Sequence, residues 1–191
     1  LLSGAAAAHG LPPKAAGVTR IGIVQPKVSM AGADSAQSSD AVRNILAQYL
    51  QGPTIEVALL GSRLPSQYRI EAQQAECDFV LATTLTHRSG SQAGAGRNAL
   101  AALSNYAPYV PGADYAKTAI ATAVLQTAQD FASNVRARDE MQLDYKLHAI
   151  DASKVVVEKS TKRKAKSDRE DLLTPLAEGA AEAVGAAIGG G

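Results

Sequence analysis

The clearest alternation of apolar and polar positions lies in the second half of the chain. Met141, Leu143, Tyr145 and Leu147 alternate with Gln142, Asp144, Lys146 and His148, the period of a half-exposed strand. Asp151-Ala152-Ser153-Lys154 reads as a turn, and Val155-Val156-Val157 opens a partner strand that continues as a charged ribbon to Lys166. Together they predict an antiparallel hairpin. The first half has a different rhythm. Ile21, Ile23 and Val24 mark a buried strand over 18–24, whose pairing Pro26 limits. Residues 29–39 are rich in Gly, Ala and Ser and predict a loop, with Ser38, Ser39 or Asp40 placed to cap the helix that follows. Val42, Ile45, Leu46, Tyr49 and Leu50 then line one face of that helix, and Gly52-Pro53 stops it.

A second strand is expected over 54–60, a turn over 62–65, and a helix over 66–76 with Tyr68, Ala72 and Ala75 on one face. Cys77-Asp78 closes that helix, and Phe79 to Thr86 forms a third strand. The final helix begins near Asp168, or restarts at Thr174-Pro175 where proline suits a first helical turn. Leu172, Leu176, Ala180, Val184 and Ala187 share its face. The fold class that follows is α/β (α+β): a two-layer mixed sheet with helices on it, in the order β-α-β-α-β-(helical insert)-β-β-α. One domain accounts for residues 18–88 and 139–188, residues 1–17 form an Ala- and Pro-rich arm, and residues 89–138 form the insert.

Composition sharpens the reading of that insert. Between residues 91 and 135 there are only four charges, Arg97, Asp114, Lys117 and Asp130, and 13 alanines. Helices are expected over about 98–106 and 114–134, separated by Pro108 and Pro111-Gly112. A nearly uncharged helix with few large side chains covers itself poorly in water, while small residues allow close backbone packing. The insert therefore suits packing between copies, with Leu100, Leu103, Tyr106, Tyr109, Tyr115, Ile120, Val124 and Phe131 as the expected contacts. Folding back onto the chain's own sheet is the alternative. The N-terminal stretch Leu1 to Gly10, with alanines at 5–8, resembles the tail of a secretory signal, which points to export to the periplasm, outer-membrane surface or extracellular space.

The net charge of +1 argues against a strongly basic nucleic-acid binder, and no nucleic-acid partner is expected. A single cysteine excludes an intramolecular disulfide framework, and three histidines exclude a His-rich metal site. No apolar run reaches the roughly 18–20 residues of a membrane-spanning helix. Gly94-Ala95-Gly96-Arg97-Asn98-Ala99 fits a dinucleotide fingerprint or a flexible glycine hinge. Lys159, Lys162, Arg163, Lys164 and Lys166 suit an anionic partner, or a solvated edge strand that blocks unwanted pairing. His87, Arg88 and Ser89, with Asp78 or Asp151, contain hydrolase residue types but no nucleophile elbow. Cys77 is a reactive thiol or simply packed, and Asp34 and Asp40 are cation contacts or caps. No catalytic, metal or cofactor residues are assigned, and the chain is expected not to be an enzyme.

Four stretches carry a resemblance. Ile21-Gly22-Ile23-Val24-Gln25-Pro26, Ala75-Glu76-Cys77-Asp78-Phe79-Val80-Leu81, the strand-turn-strand over 144–158 and the closing Ala-rich helix are similar to an envelope-domain group. That group includes the curli secretion channel CsgG, the N-terminal domain of TolB and the lipoprotein activators of penicillin-binding proteins. The region 139–187 also resembles uncharacterised secreted bacterial proteins. Cys77 stands where the group has a small residue, and the turn at 151–154 lacks its Thr-Gly. The resemblance implies a non-catalytic exported protein whose insert lies where the curli channel elaborates its pore-forming hairpins. The insert lacks the aromatic girdles and long alternating strands of a transmembrane barrel, so a helical arm is expected rather than a pore. Self-assembly into a ring, tube or filament follows as the expected role. The alternatives are a monomeric accessory domain that binds an envelope enzyme or secretion channel and, third, a nucleotide-binding or hydrolytic enzyme.

Overall fold

A computed structural model describes residues 13–30, 35–90, 129, 131–151 and 154–189. One mixed sheet holds six strands: β1 (Thr19–Ile23), β2 (Lys27–Ser29), β3 (Ile55–Leu59), β4 (Phe79–Arg88), β5 (Glu140–Ala149) and β6 (Val155–Lys164). Their order is β3-β1-β4-β5-β6, with β2 also on β4. Helices α1 (Ser35–Leu50), α2 (Pro65–Gln74) and α3 (Leu173–Gly189) accompany the sheet, and residues 131–133 are helical too. The mixed α/β class read from the sequence is the observed one.

The first three long strands, β1, β3 and β4, are parallel, and both connections between them carry a helix. The chain moves from β1 to β3 in one direction and then back past β1 to β4. Right-handed crossovers in opposite directions put their helices on opposite faces. The cores agree: Val42, Ile45, Leu46 and Leu50 of α1 pack in one cluster with Ile21, Ile23, Leu81, Leu85 and α3. On the other face Ala72 of α2 packs in a smaller cluster with Val24, Ala58, Leu60, Cys77 and Val80. The hairpin β5–β6 then extends the sheet antiparallel to β4. Met141, Leu143, Tyr145 and Leu147 are buried under α3, as their alternation requires. Ala177, Ala180 and Ala181 of α3 are buried too, so the alanines of the last helix belong to the core.

Two local expectations, both on helix caps, are corrected, and one on pairing holds. Pro26 limits the pairing without ending it: β1 pairs with residues 79–81 of β4, and β2 resumes on the same edge at residues 84–86. The amide of Val24 still donates to the Leu81 carbonyl at 3.0 Å, so β1 and β2 act as one strand interrupted where proline lacks a donor. Helix α1 starts at Ser35, so Ser38, Ser39 and Asp40 lie within it and do not cap it. Ser38 and Ser39 are buried, and the Asp40 carboxylate accepts from Arg43 at 2.9 Å and from Gln25 at 3.2 Å. Helix α3 is capped by Asp171, whose Oδ1 accepts from the amides of Leu173 and Thr174. Asp168 instead accepts from the amide of Ala137.

Candidate functional site

Strands β4 and β5 pair without interruption from Phe79 opposite Ala149 to Arg88 opposite Glu140. The chain therefore passes from the end of β4 at Arg88 to the start of β5 at Glu140 at a single point of the sheet. What holds that point closed is the carboxylate of Asp139. Its Oδ1 accepts from the Gly90 amide at 2.8 Å, and its Oδ2 accepts from the Arg136 amide at 2.9 Å and from His87 Nε2 at 3.1 Å. The Asp139 side chain is 2 % exposed and that of His87 9 %. Burial alone would push the Asp139 carboxyl up, but the amides of Gly90 and Arg136 and the His87 ring outweigh it and hold it below the usual carboxylate range.

The backbone around Asp139 completes the clasp. Its carbonyl accepts from the Ala165 amide at 2.8 Å, and the Arg138 amide donates to the Ala165 carbonyl at 2.9 Å. The Arg169 amide donates to the Val135 carbonyl at 2.8 Å, and Ala137 is held by Asp168. The end of β6 and the segment before α3 therefore brace the returning chain. Arg138 has φ +76°, a left-handed conformation that brings its carbonyl against Gly90. A Cβ at position 90 would collide with that carbonyl, which is why glycine stands there. Val135 and Phe131 anchor the returning chain in the main core.

His87 takes its carboxylate from Asp139, and neither Asp78 nor Asp151 reaches it. Those two residues flank the far end of the β4–β5 pair, separated from His87 by about 30 Å of strand. Asp78 instead accepts from the Arg20 amide at 2.8 Å and from Lys14 Nζ at 2.6 Å. Beside it the buried Arg20 guanidinium donates to Glu56 at 2.7 and 2.9 Å and to the Ala75 carbonyl at 2.9 Å. This group ties the strand ends to the α2–β4 turn. Cys77 is buried next to it, and burial pushes its thiol up to about 11, so the sulfur is packed and unreactive near neutrality. The basic residues Lys159, Lys162, Arg163 and Lys164 lie on β6, which among the described residues is an edge strand paired only with β5.

Of the expected contact residues, Leu100, Leu103, Tyr106, Tyr109, Tyr115, Ile120 and Val124 lie outside the described residues. So do Asp34 and the glycine motif at 94–99. Phe131 is described, and it is 7 % exposed inside the chain's own core. The clasp itself was not anticipated. The register of β4 with β5 places Asp139 two residues beyond the partner of His87.

No protein-family model and no curated protein matches the chain. Several solved structures are similar in outline. A PelC dodecamer from Paraburkholderia phytofirmans is 13 % identical, with 92 % of this chain and 93 % of that one covered and a TM-score of 0.47. Protein XCC0632 from Xanthomonas campestris is 11 % identical, with 95 % and 92 % covered and a TM-score of 0.48. TolB from Acinetobacter baumannii is 10 % identical over 91 % of this chain, which spans 29 % of TolB, at a TM-score of 0.45. At these scores the likeness concerns the overall outline alone. Among the described residues no helix is long and apolar enough to cross a membrane.

Proposed function

We propose that this chain is a non-catalytic, exported structural protein that associates with copies of itself through residues 89–138, with its N-terminal arm as a second contact. The observation that carries the reading is the clasp: both ends of an almost uncharged, Ala-rich segment are fixed at one point of a rigid sheet. Fixed roots start and end the segment at the same place in every copy, which supports symmetric assembly. Leu100, Leu103, Tyr106, Tyr109, Tyr115, Ile120 and Val124 supply its large apolar side chains. Contacts that close give a ring, and head-to-tail contacts that do not close give a tube or filament. The chemistry-bearing side chains near the clasp favour a structural role, because both oxygens of Asp139 are committed to holding backbone and His87. Export follows from the signal-like residues 1–10.

The test is a deletion of residues 91–128, which leaves Gly90, Arg136 and Asp139 in place. Sedimentation velocity is run on the intact and deleted chains. The reading predicts a multimer that falls to a monomer on deletion. A deleted chain that stays multimeric would move the interface to the sheet domain and refute the assigned role of the segment.

A further inference from the structure

Five of the chain's nineteen Lys and Arg residues fall between 159 and 166, with no acid among them. The structure gives this cluster a definite shape. Four of the five lie on β6, whose residues from Glu158 to Lys164 are exposed and whose outer edge has no partner strand among the described residues. By register Lys159 stands opposite Tyr145 and Arg163 opposite Met141, on the side that carries the core, while Lys162 and Lys164 stand opposite Gln142 and Glu140 on the other side. Among the described residues none of the four is in an ion pair, whereas the acid of the strand, Glu158, is taken by Lys146 at 3.0 Å. The edge is thus a line of free backbone donors and acceptors flanked on both sides by unpaired cations. On the far side Lys162 and Lys164 are two residues apart, about 7 Å along the strand, and on the core side Lys159 and Arg163 are four apart, about 13 Å.

We infer that the β6 edge is a docking site for an extended acidic peptide segment of a partner protein, which adds to the sheet as a further strand. Backbone hydrogen bonds to β6 supply affinity, and carboxylates alternating up and down the peptide meet the cations on the two sides. A second copy of β6 is the wrong occupant, because it would set Lys and Arg against Lys and Arg. Nucleic acid is disfavoured by geometry and composition: the cations straddle an edge, and β6 carries no aromatic side chain on which a base could stack. The inference stands whether or not the chain self-associates.

The probe is a fluorescent ten-residue peptide of Glu-Glu-Thr-Thr repeats, which sets carboxylates on both faces of an extended strand, titrated with the full chain and read by anisotropy. Three comparisons accompany it: the Gln-for-Glu peptide, the Glu peptide N-methylated at alternate residues, and the chain carrying Lys159→Gln, Lys162→Gln, Arg163→Gln and Lys164→Gln. The expected result is salt-sensitive binding that weakens at least about tenfold in each. The N-methylated peptide needs no altered protein, so that arm stands even if the quadruple variant folds poorly. Equal binding of the N-methylated peptide would overturn strand addition. Absence of binding at millimolar peptide, or tighter binding of an oligothymidine or of phosphatidylserine vesicles than of the peptide, would overturn the assignment.

Discussion

Replacing Asp139 with alanine removes the group that closes the base of the arm. Three donors lose their acceptor at once: the Gly90 amide, the Arg136 amide and His87 Nε2. A buried donor left without a partner costs about 1–3 kcal/mol, and relaxation lets some of the three reach water, so a loss of about 3–5 kcal/mol is expected. Domains of this size are held by about 5–15 kcal/mol, so the change is a large fraction of the whole. In urea, with a slope near 2 kcal/mol/M, the midpoint falls by about 1.5–2.5 M. Asp139→Asn keeps one acceptor oxygen and lies between the two. The effect also has a pH signature. The Asp139 carboxyl titrates below its ordinary value of 3.8 in the folded chain. Its contribution is therefore complete above that value and disappears as the pH falls through the lower folded value. The gap in stability between the native chain and Asp139→Ala shrinks accordingly in acid. Amide exchange at Gly90 and Arg136 speeds up in the variant. A midpoint shift below about 0.5 M would refute the clasp as the element that holds these segments.

Two further outcomes follow from the same geometry. Gly90→Ala places a Cβ against the Arg138 carbonyl and is expected to cost about 1–3 kcal/mol in urea unfolding, while a neutral result would mean the close approach is absent. Cys77 stays unlabelled by a thiol reagent at about pH 8 until the domain unfolds. Its thiol is raised from 9.0 to about 11, so the related stability is present below 9 and is lost as the pH rises from 9 towards 11. Rapid labelling of the folded chain would contradict its burial.

The sheet was legible in the sequence wherever burial imposes a period. The alternation at 141–148 gave β5 its face, and Val42, Ile45, Leu46 and Leu50 of α1 lie in the core as expected, whereas Tyr49, expected on the same face, is exposed. β6 was readable although its second half is fully exposed, because three valines start it and a turn precedes it. β2 was missed because three residues after a proline carry almost no pattern, and its existence depends on the free edge of β4. The caps were misplaced for a related reason: Ser38, Ser39 and Asp168 all have the right chemistry, and tertiary partners decide which side chain faces a free amide. The His87–Asp139 pair joins residues 52 apart, and that distance is set by the length of the excursion between two paired strands, which no local spacing encodes.

The central claim is that the intact chain associates with itself, and its mass in solution tests this most directly. Multi-angle light scattering over a hundredfold range of concentration is expected to give a mass at an integral multiple of 19.7 kDa, or a polydisperse polymer. A constant mass of 19.7 kDa at every concentration would contradict it.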